Sequence, residues 1–326
     1  MERKYIDLQV NGFVGVDFST LELDYDSFMK AADAVFKSGT EIFLPTLVTS
    51  DLPLYERNIA IIRNAAEKNG LMREIPGVHL EGPFISNQPG AVGCHNPDFV
   101  RDCDSEWLLD MLERTGNYVK MITIAAELNG AADFTRCATD KGVVVSLGHH
   151  LAKFEDVRKC AAAGAKTLTH LANGCPNMMN RHDNPVWAGL ACDDLTAMLI
   201  TDGHHLPGEI IRCMAKIKGA DKIIVTSDAA PVAGLPPGKY YMLNNHAVLE
   251  ENGKFHNPEK GCLCGSSASV ADCVKFLETL EIFTEEELHK VSYLNAAKLI
   301  GIASRYATTS VSSPRSVVWQ TMVVIR

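Results

Sequence analysis

The sequence has no apolar run that approaches the ~18 residues a helix needs to cross a membrane. Residues 1–7 also lack the apolar stretch of a signal peptide. Positive charge is in deficit, because 31 Lys and Arg residues face 40 Asp and Glu residues, which leaves a net charge of −9. We therefore expect neither a membrane protein nor a nucleic-acid binder that neutralises phosphates, and we predict a cytoplasmic location.

Paired cysteine motifs are also missing. The chain has ten cysteines but no C-x-x-C pair, and its most closely spaced pair, Cys262 and Cys264, forms a C-x-C. Scattered cysteines in a chain of 326 residues are typical of free thiols in a reducing compartment. The spacing does not predict a disulfide framework or a structural zinc knuckle.

Short apolar runs alternate with segments of helical periodicity along most of the chain. The eight runs are 5–10, 41–47, 77–80, 118–124, 142–147, 166–169, 195–201 and 222–226. The helical segments are 25–37, 52–68, 105–114, 131–140, 154–163, 207–218, 267–280 and 285–300. Eight successive strand-then-helix units predict an α/β protein with a (β/α)8 TIM barrel. The competing doubly wound sheet lacks the G-x-G-x-x-G expected after the first strand.

Two segments fall outside this repeat. Residues 240–265 carry turn pairs at Asn244-Asn245 and Asn252-Gly253, which predict a β-hairpin insertion. Residues 305–326 are rich in Ser and Thr and then in β-formers, which predicts a short C-terminal strand or tail. We therefore expect one catalytic barrel over residues 1–304, followed by the short segment 305–326.

Polar side chains follow several predicted strands at their carboxyl ends. Glu81 follows the third strand, His149 the fifth and His170 the sixth. In a parallel barrel these ends share one rim, so the three side chains are expected to converge. Two imidazoles and one carboxylate, with a fourth position left for water, suit one catalytic Zn²⁺, and the carboxylate also admits Fe²⁺ or Mn²⁺. Taken singly, each histidine could also be an ordinary core or surface residue.

Asp228 follows the eighth strand, on the same predicted rim. Beside a metal, a carboxylate there can accept a proton from water and return it to a leaving amine. The other interpretation is a helix cap or a loop carboxylate.

The same residues sit in a set of ordered motifs. These are D-L-Q-V-N-G at 7–12, H-L-E-G-P at 79–83, G-C-H-N-P at 93–97, S-L-G-H at 146–149, T-H-L-A-N at 169–173, D-G-H-H at 202–205, T-S-D-A at 226–229 and G-C-L-C-G-S-S at 261–267. Over residues 5–302 the sequence resembles the amidohydrolase superfamily and, within it, the N-acetylglucosamine-6-phosphate deacetylase family.

The resemblance implies roles for individual residues. Glu81, His149 and His170 match the metal ligands, Asp228 matches the catalytic acid–base, and His95 matches the residue that polarises the scissile carbonyl. Substrate contacts are implied for Cys94, His95, Asn173, Gly174, Arg181, Asp202, His205, Leu263, Cys264 and Gly265. Arg181 matches an arginine that family members supply to the phosphate across a dimer interface, so a homodimer is implied as well.

Several positions depart from the family pattern. Many amidohydrolases carry H-x-H on strand one for a second metal, but this chain has Gln9 and Asn11 there, which favours one metal. His150 and His204 are additional imidazoles beside site positions, either exposed loop residues or a sign of altered substrate recognition. The sequence begins close to strand one, so we expect the family's accessory β-sandwich to be reduced or absent.

The resemblance implies hydrolysis of the acetamido group of an N-acetylhexosamine 6-phosphate, most simply N-acetylglucosamine 6-phosphate, by a metal-dependent enzyme. The expected ligand is a small sugar phosphate. Two alternatives stay open: an amidohydrolase acting on another N-acyl sugar, an N-acyl amino acid or a cyclic amide, and a non-catalytic regulatory paralogue.

Overall fold

Eight parallel strands dominate the computed structural model, which describes residues 3–242 and 245–302. The strands pair in chain order and are β1 (Tyr5–Val10), β2 (Thr40–Val48), β3 (Val78–Glu81), β4 (Val119–Ile124), β5 (Val144–Leu147), β6 (Thr167–Leu168), β7 (Thr196–Ile200) and β8 (Ile223–Thr226). The last strand returns to the first, where Val10 bridges to Ala229. The predicted (β/α)8 barrel is thus confirmed.

Helices cover the outside of the barrel. They are α1 (Tyr25–Lys37), α2 (Leu52–Lys68), α3 (Ser105–Arg114), α4 (Ala131–Asp140), α5 (Phe154–Ala163), α6 (Pro185–Ala191), α7 (Gly208–Lys218), α8 (Val270–Leu280), α9 (Glu285–His289) and α10 (Asn295–Leu299). The first five have the predicted bounds, and capping side chains mark the starts of the first three. Asp24 and Asp51, for example, accept hydrogen bonds from backbone amides at the starts of α1 and α2. No helix in the described part of the chain is long and apolar enough to cross a membrane.

Two helical regions differ from the prediction. The short α6 was missed, since seven residues are too few to display a helical period. Its start is nevertheless capped by Asn184, which accepts hydrogen bonds from the amides of Val186 and Trp187. The predicted helix 285–300 is interrupted by a π-helical turn, Lys290–Leu294, between α9 and α10.

The insertion after β8 is larger than a hairpin. It forms a four-stranded antiparallel sheet of β9 (Gly238–Met242), β10 (Asn245–Leu249), β11 (Phe255–Asn257) and β12 (Cys262–Leu263). A bridge between Ala229 and Ser266 joins the end of this insertion to the barrel rim. Residues 305–326 lie outside the described residues, so the predicted terminal segment and the division at 304 stay predictions.

The barrel interior changes from apolar to polar towards the carboxyl ends of the strands. Leu44 and Met121 pack in an apolar layer, and two residues further along β2 and β4 come Thr46 and Thr123. His79 Nε2 lies 2.8 Å from Thr123 Oγ1 in the layer above. Polar groups therefore lie beneath the rim, where they can support charged side chains.

Asp7 connects the first and last strands of the barrel. Its buried carboxylate accepts hydrogen bonds from Thr226 Oγ1 over 2.8 Å, from Ser227 N over 3.2 Å and from Ser227 Oγ over 2.5 Å. Burial raises the pKa of Asp7, and the donors on β8 act in the opposite direction. Asp7 thus adds three side-chain hydrogen bonds to a seam that the Val10–Ala229 bridge also joins.

We expect Asp7→Ala to lower the free energy of unfolding by about 3 kcal/mol, because Thr226 and Ser227 lose their buried acceptor. Asp7→Asn keeps one oxygen for Thr226 and should lose less than half as much. Urea denaturation followed by circular dichroism measures both variants. If both variants lose the same free energy of unfolding, hydrogen bonding by Asp7 does not stabilise the contact between β1 and β8.

Candidate active site

Glu81 is the centre of a buried cluster at the carboxyl end of β3. Its Oε1 lies 3.2 Å from His149 Nε2 and 2.9 Å from His170 Nε2, and it accepts a hydrogen bond from Gln9 Nε2 over 2.8 Å. The two imidazole Nε2 atoms are themselves 3.1 Å apart. Three ligand atoms from β3, β5 and β6 thus face one point.

The backbone at this rim is strained. His149, His170 and Asp228 have positive φ angles of 50°, 28° and 52°. Such angles are uncommon for residues other than glycine and cluster at functional sites, where the surrounding structure holds them. The strain turns the three side chains inward at the point where their strands end.

The donor set fits one divalent metal ion. A tetrahedral zinc site with arms of about 2.0–2.1 Å places neighbouring ligand atoms about 3.3 Å apart, and the observed separations of 2.9–3.2 Å are close to that value. His149 Nδ1 donates to the carbonyl of Ala91 over 2.7 Å, which leaves the Nε2 lone pair for the centre. His170 Nδ1 has no partner among the described residues.

The charges within the cluster are mutually dependent. Burial acts to raise the pKa of Glu81, but hydrogen bonds from His149 and His170 hold it well below its usual range. Burial acts to lower the pKa of His149, and the Glu81 carboxylate raises it. Glu81 is therefore an ionised carboxylate between imidazoles, and a buried negative charge of this kind is stabilised by a nearby cation.

His95 lies beside this cluster but is oriented as a donor. The amide of Thr49 donates to His95 Nδ1 over 3.3 Å, a contact that suits the tautomer with the ring proton on Nε2. Nε2 lies 3.7 Å from Glu81 Oε2. Burial lowers the pKa of His95 to about 3, so the ring is neutral at pH 7. Glu81, His95 and His149 each offer one ligand atom, and these three atoms lie within 4.8 Å of one another.

Asp228 is nine-tenths buried and lines the same cleft as the cluster. Asn11 Nδ2 donates to its Oδ1 over 2.7 Å. Burial raises the pKa of Asp228 to about 6, and the negative charge of Glu81 adds to the effect, while Asn11 acts against it. A pKa near the operating pH suits a group that both accepts and returns a proton.

These side chains open into a cleft of about 390 Å³. The sequence-predicted site residues that line it are Asn11, Glu81, Cys94, His95, His149, His170, Asn173, Gly174, His205, Asp228, Leu263, Cys264 and Gly265. Gly265 adopts a φ of +78°, and a Cβ there would lie 2.9 Å from the Asp228 carbonyl oxygen. This position therefore requires glycine, and its backbone faces the cleft directly.

Asp202 does not line the cleft, but it positions His205, which does. Asp202 Oδ2 accepts hydrogen bonds from His205 Nδ1 and Ser266 Oγ, each over 2.8 Å. Burial acts to raise the pKa of Asp202, but His205 holds it below its usual range. Because Asp202 occupies Nδ1, His205 presents Nε2 to the cleft.

Arg181 is not in this cleft. It lies with Phe154, Trp187 and Ile217 in a separate, largely apolar groove. Within one chain, therefore, the structure does not bring this predicted phosphate contact to the other site residues.

The two additional histidines are not exposed loop residues. His150 is buried beneath the rim near Leu147, and burial lowers its pKa to about 3. His204 is half-buried, and its Nε2 lies 3.0 Å from the carbonyl oxygen of Asn252 in the inserted sheet. Neither side chain is among the residues that line the cleft.

Sequence reasoning missed several residues of the cleft. Thr49 orients His95 and follows β2, so the strand-end rule could have found it, but it carries no charge to attract notice. Lys260, Cys262 and Asn177 also line the cleft. They lie in loops or in the inserted sheet, where no barrel rule places a side chain.

No protein-family profile matches the chain. The N-acetylglucosamine-6-phosphate deacetylase of Danio rerio is 31% identical over 317 residues, which cover 93% of this chain and 76% of the relative. The N-acetylgalactosamine-6-phosphate deacetylase of Escherichia coli O157:H7 is 29% identical over 299 residues, 91% of this chain and 77% of the relative.

Solved structures agree with these relatives. N-acetylglucosamine-6-phosphate deacetylase from Thermotoga maritima superposes with a TM-score of 0.81 at 28% identity, over 92% of this chain and 78% of that one. Fold, motif order and relatives point to one family. The chain belongs to the N-acetylglucosamine-6-phosphate deacetylase family of the amidohydrolase superfamily.

Proposed function

We propose that this protein hydrolyses the acetamido group of an N-acetylhexosamine 6-phosphate, with N-acetylglucosamine 6-phosphate as the first candidate, to acetate and an amino-sugar phosphate. The main support for this proposal is that Glu81, His149 and His170 converge in a cleft that Asp228 also lines. The family relatives carry this activity in their names.

Glu81, His149 and His170 would hold one divalent ion, with zinc preferred for its affinity for two imidazoles and a carboxylate. Such an ion supplies Lewis acidity, which polarises an amide carbonyl and makes water acidic enough to attack at neutral pH. Gln9 and Asn11, at the second-metal positions, already donate to Glu81 and Asp228. Their engagement supports a single ion.

Asp228 is the proposed acid–base. Its buried carboxylate accepts the proton of the attacking water and then donates it to the departing amine nitrogen. The raised pKa makes both transfers accessible near neutral pH. His95 donates its Nε2 proton to the oxygen that becomes negative, and its neutral state keeps that proton in place.

The sugar and its phosphate need contacts further out in the cleft. His205, positioned by Asp202, and Asn173 face the space where hydroxyl groups would lie. Arg181 lies in its own groove, so we propose that it reaches the phosphate of a second copy in a homodimer. Local cations must attract the substrate, because the chain as a whole carries a net charge of −9.

None of the ten cysteines forms a disulfide. Free thiols are usual in reducing compartments, which supports the proposed cytoplasmic location.

An acetate-release assay tests the proposed substrate class. We expect turnover of N-acetylglucosamine 6-phosphate, with the galactosamine epimer as the second substrate, and far weaker turnover of both sugars without phosphate. Equal rates with and without phosphate, or release only from N-acyl amino acids, would assign the chain to another amidohydrolase activity. Absence of turnover together with absence of bound metal would favour a non-catalytic paralogue.

Replacing Arg181 by alanine tests phosphate recognition. Loss of a charged contact is expected to raise KM for the phosphorylated sugar roughly 30-fold with little change in kcat, and to leave the unphosphorylated sugar unaffected. Arg158→Ala is the matched control, because Arg158 lies on the surface of α5 and pairs with Glu155. An unchanged KM in Arg181→Ala would remove that residue from the phosphate site.

Replacing Asp228 by asparagine should lower kcat about 10³-fold, since the amide cannot accept the proton. Metal content measured by atomic emission should stay at the wild-type value, because Asp228 is not one of the three proposed ligands. Near wild-type kcat in this variant would contradict the acid–base role.

Replacing Asn11 by alanine tests how Asp228 is tuned. Asn11 donates to Asp228 and lowers its pKa, so its removal should raise that pKa. The base must be deprotonated to act, and the acid limb of the pH profile of kcat/KM should therefore move to higher pH. An unshifted limb with a uniformly lower rate would mean that Asn11 acts only structurally.

A further inference from the structure

Three thiols meet on the wall of the cleft. Cys94 lies in the loop after β3, and Cys262 and Cys264 lie at β12 of the inserted sheet. Cys94 Sγ is 3.0 Å from Cys264 Sγ and 3.9 Å from Cys262 Sγ. All three sulfur atoms lie within 4.8 Å of one another. The chain therefore gathers three of its ten cysteines in one place from positions about 170 residues apart.

The thiol cluster differs in chemistry from the Glu81 cluster. Its donors are all sulfur, which selects soft or borderline cations, whereas the Glu81 site offers nitrogen and oxygen. Zinc–sulfur bonds of about 2.3 Å in a tetrahedral site place neighbouring sulfur atoms about 3.8 Å apart. The observed separations of 3.0 and 3.9 Å bracket that distance, so only small side-chain shifts are needed.

The surroundings of the cluster favour a thiolate at Cys262, whereas hydrogen bonds with Cys262, together with burial, raise the pKa of Cys94 and Cys264. Cys264 is buried, while Cys94 and Cys262 are half-buried at the cleft, so an ion could enter from solvent. Hydrogen bonds from Cys264 and Cys94, together with the charge of Lys260, lower the pKa of Cys262. A divalent ion with three thiolates carries a net charge of −1, which Lys260 offsets.

We propose that Cys94, Cys262 and Cys264 form a second metal site, which binds a thiophilic divalent cation of the Zn²⁺ class. Binding releases the protons of the coordinating thiols, which makes it weaker at low pH. The ion connects the loop that carries His95 to the inserted sheet, and so fixes one wall of the cleft. This site does not depend on the proposed hydrolysis.

Cd²⁺ is the probe that separates the two sites. Thiolate ligands give Cd²⁺ a charge-transfer absorption band in the ultraviolet, and carboxylate and imidazole ligands do not. Titration of the reduced holoenzyme with Cd²⁺ should produce this band, saturating at one equivalent. Cys262→Ser should reduce its amplitude by about a third, since one of three thiolates is lost. Cys262→Ser with Cys264→Ser should abolish it, because Cys94 alone does not retain the ion.

Cys175→Ser is the matched control. Cys175 is a half-buried thiol that lines the same cleft outside the cluster, and its replacement should leave the band unchanged. Circular dichroism of every variant verifies folding. The proposal fails if the wild-type protein gives no thiolate band, or if the band survives the double replacement. It also fails if mass spectrometry finds a Cys94–Cys264 disulfide and the reduced protein then binds no Cd²⁺.

Discussion

The negative charge of Glu81 is the constraint around which the site is built. A carboxylate buried to this degree costs several kcal/mol unless cations or donors surround it. Gln9, His149 and His170 supply those groups within 3.2 Å. Each comes from a different strand, so the charge can be satisfied only when the barrel is closed. The chemistry of the rim and the closure of the fold are thereby coupled.

Closure of the barrel also maintains unfavourable backbone angles at the rim. The positive φ angles of His149, His170 and Asp228 cost of order 1–3 kcal/mol each and persist only where other contacts determine them. Hydrogen bonds at the seam, where Asp7 accepts from β8, fix the strand end that precedes Asp228. The polar contacts that hold the strained rim in place thus include those of Asp7, which lie one layer below it.

Sequence reasoning succeeded where the signal is local. The bounds of α1 to α5 and the order of the strands follow from capping residues and periodicity, and the barrel rule then gathers Glu81, His149 and His170 on one rim. It failed where contact depends on loop geometry. Cys94 and Cys264 touch although 170 residues separate them, and no pattern in either segment encodes that approach. Arg181 matched a motif position, yet its loop carries it into another groove.

Gln9 and Asn11 place two neutral amides beside the buried carboxylates of Glu81 and Asp228. Their amides donate one hydrogen bond each to Glu81 and Asp228, over 2.8 and 2.7 Å. An amide dipole stabilises a carboxylate far less than a full positive charge does. Burial and the charge of Glu81 therefore raise the pKa of Asp228 to about 6, against the weaker opposing effect of Asn11. In the proposed site, a single ion is therefore compatible with a carboxylate that can take up and return a proton.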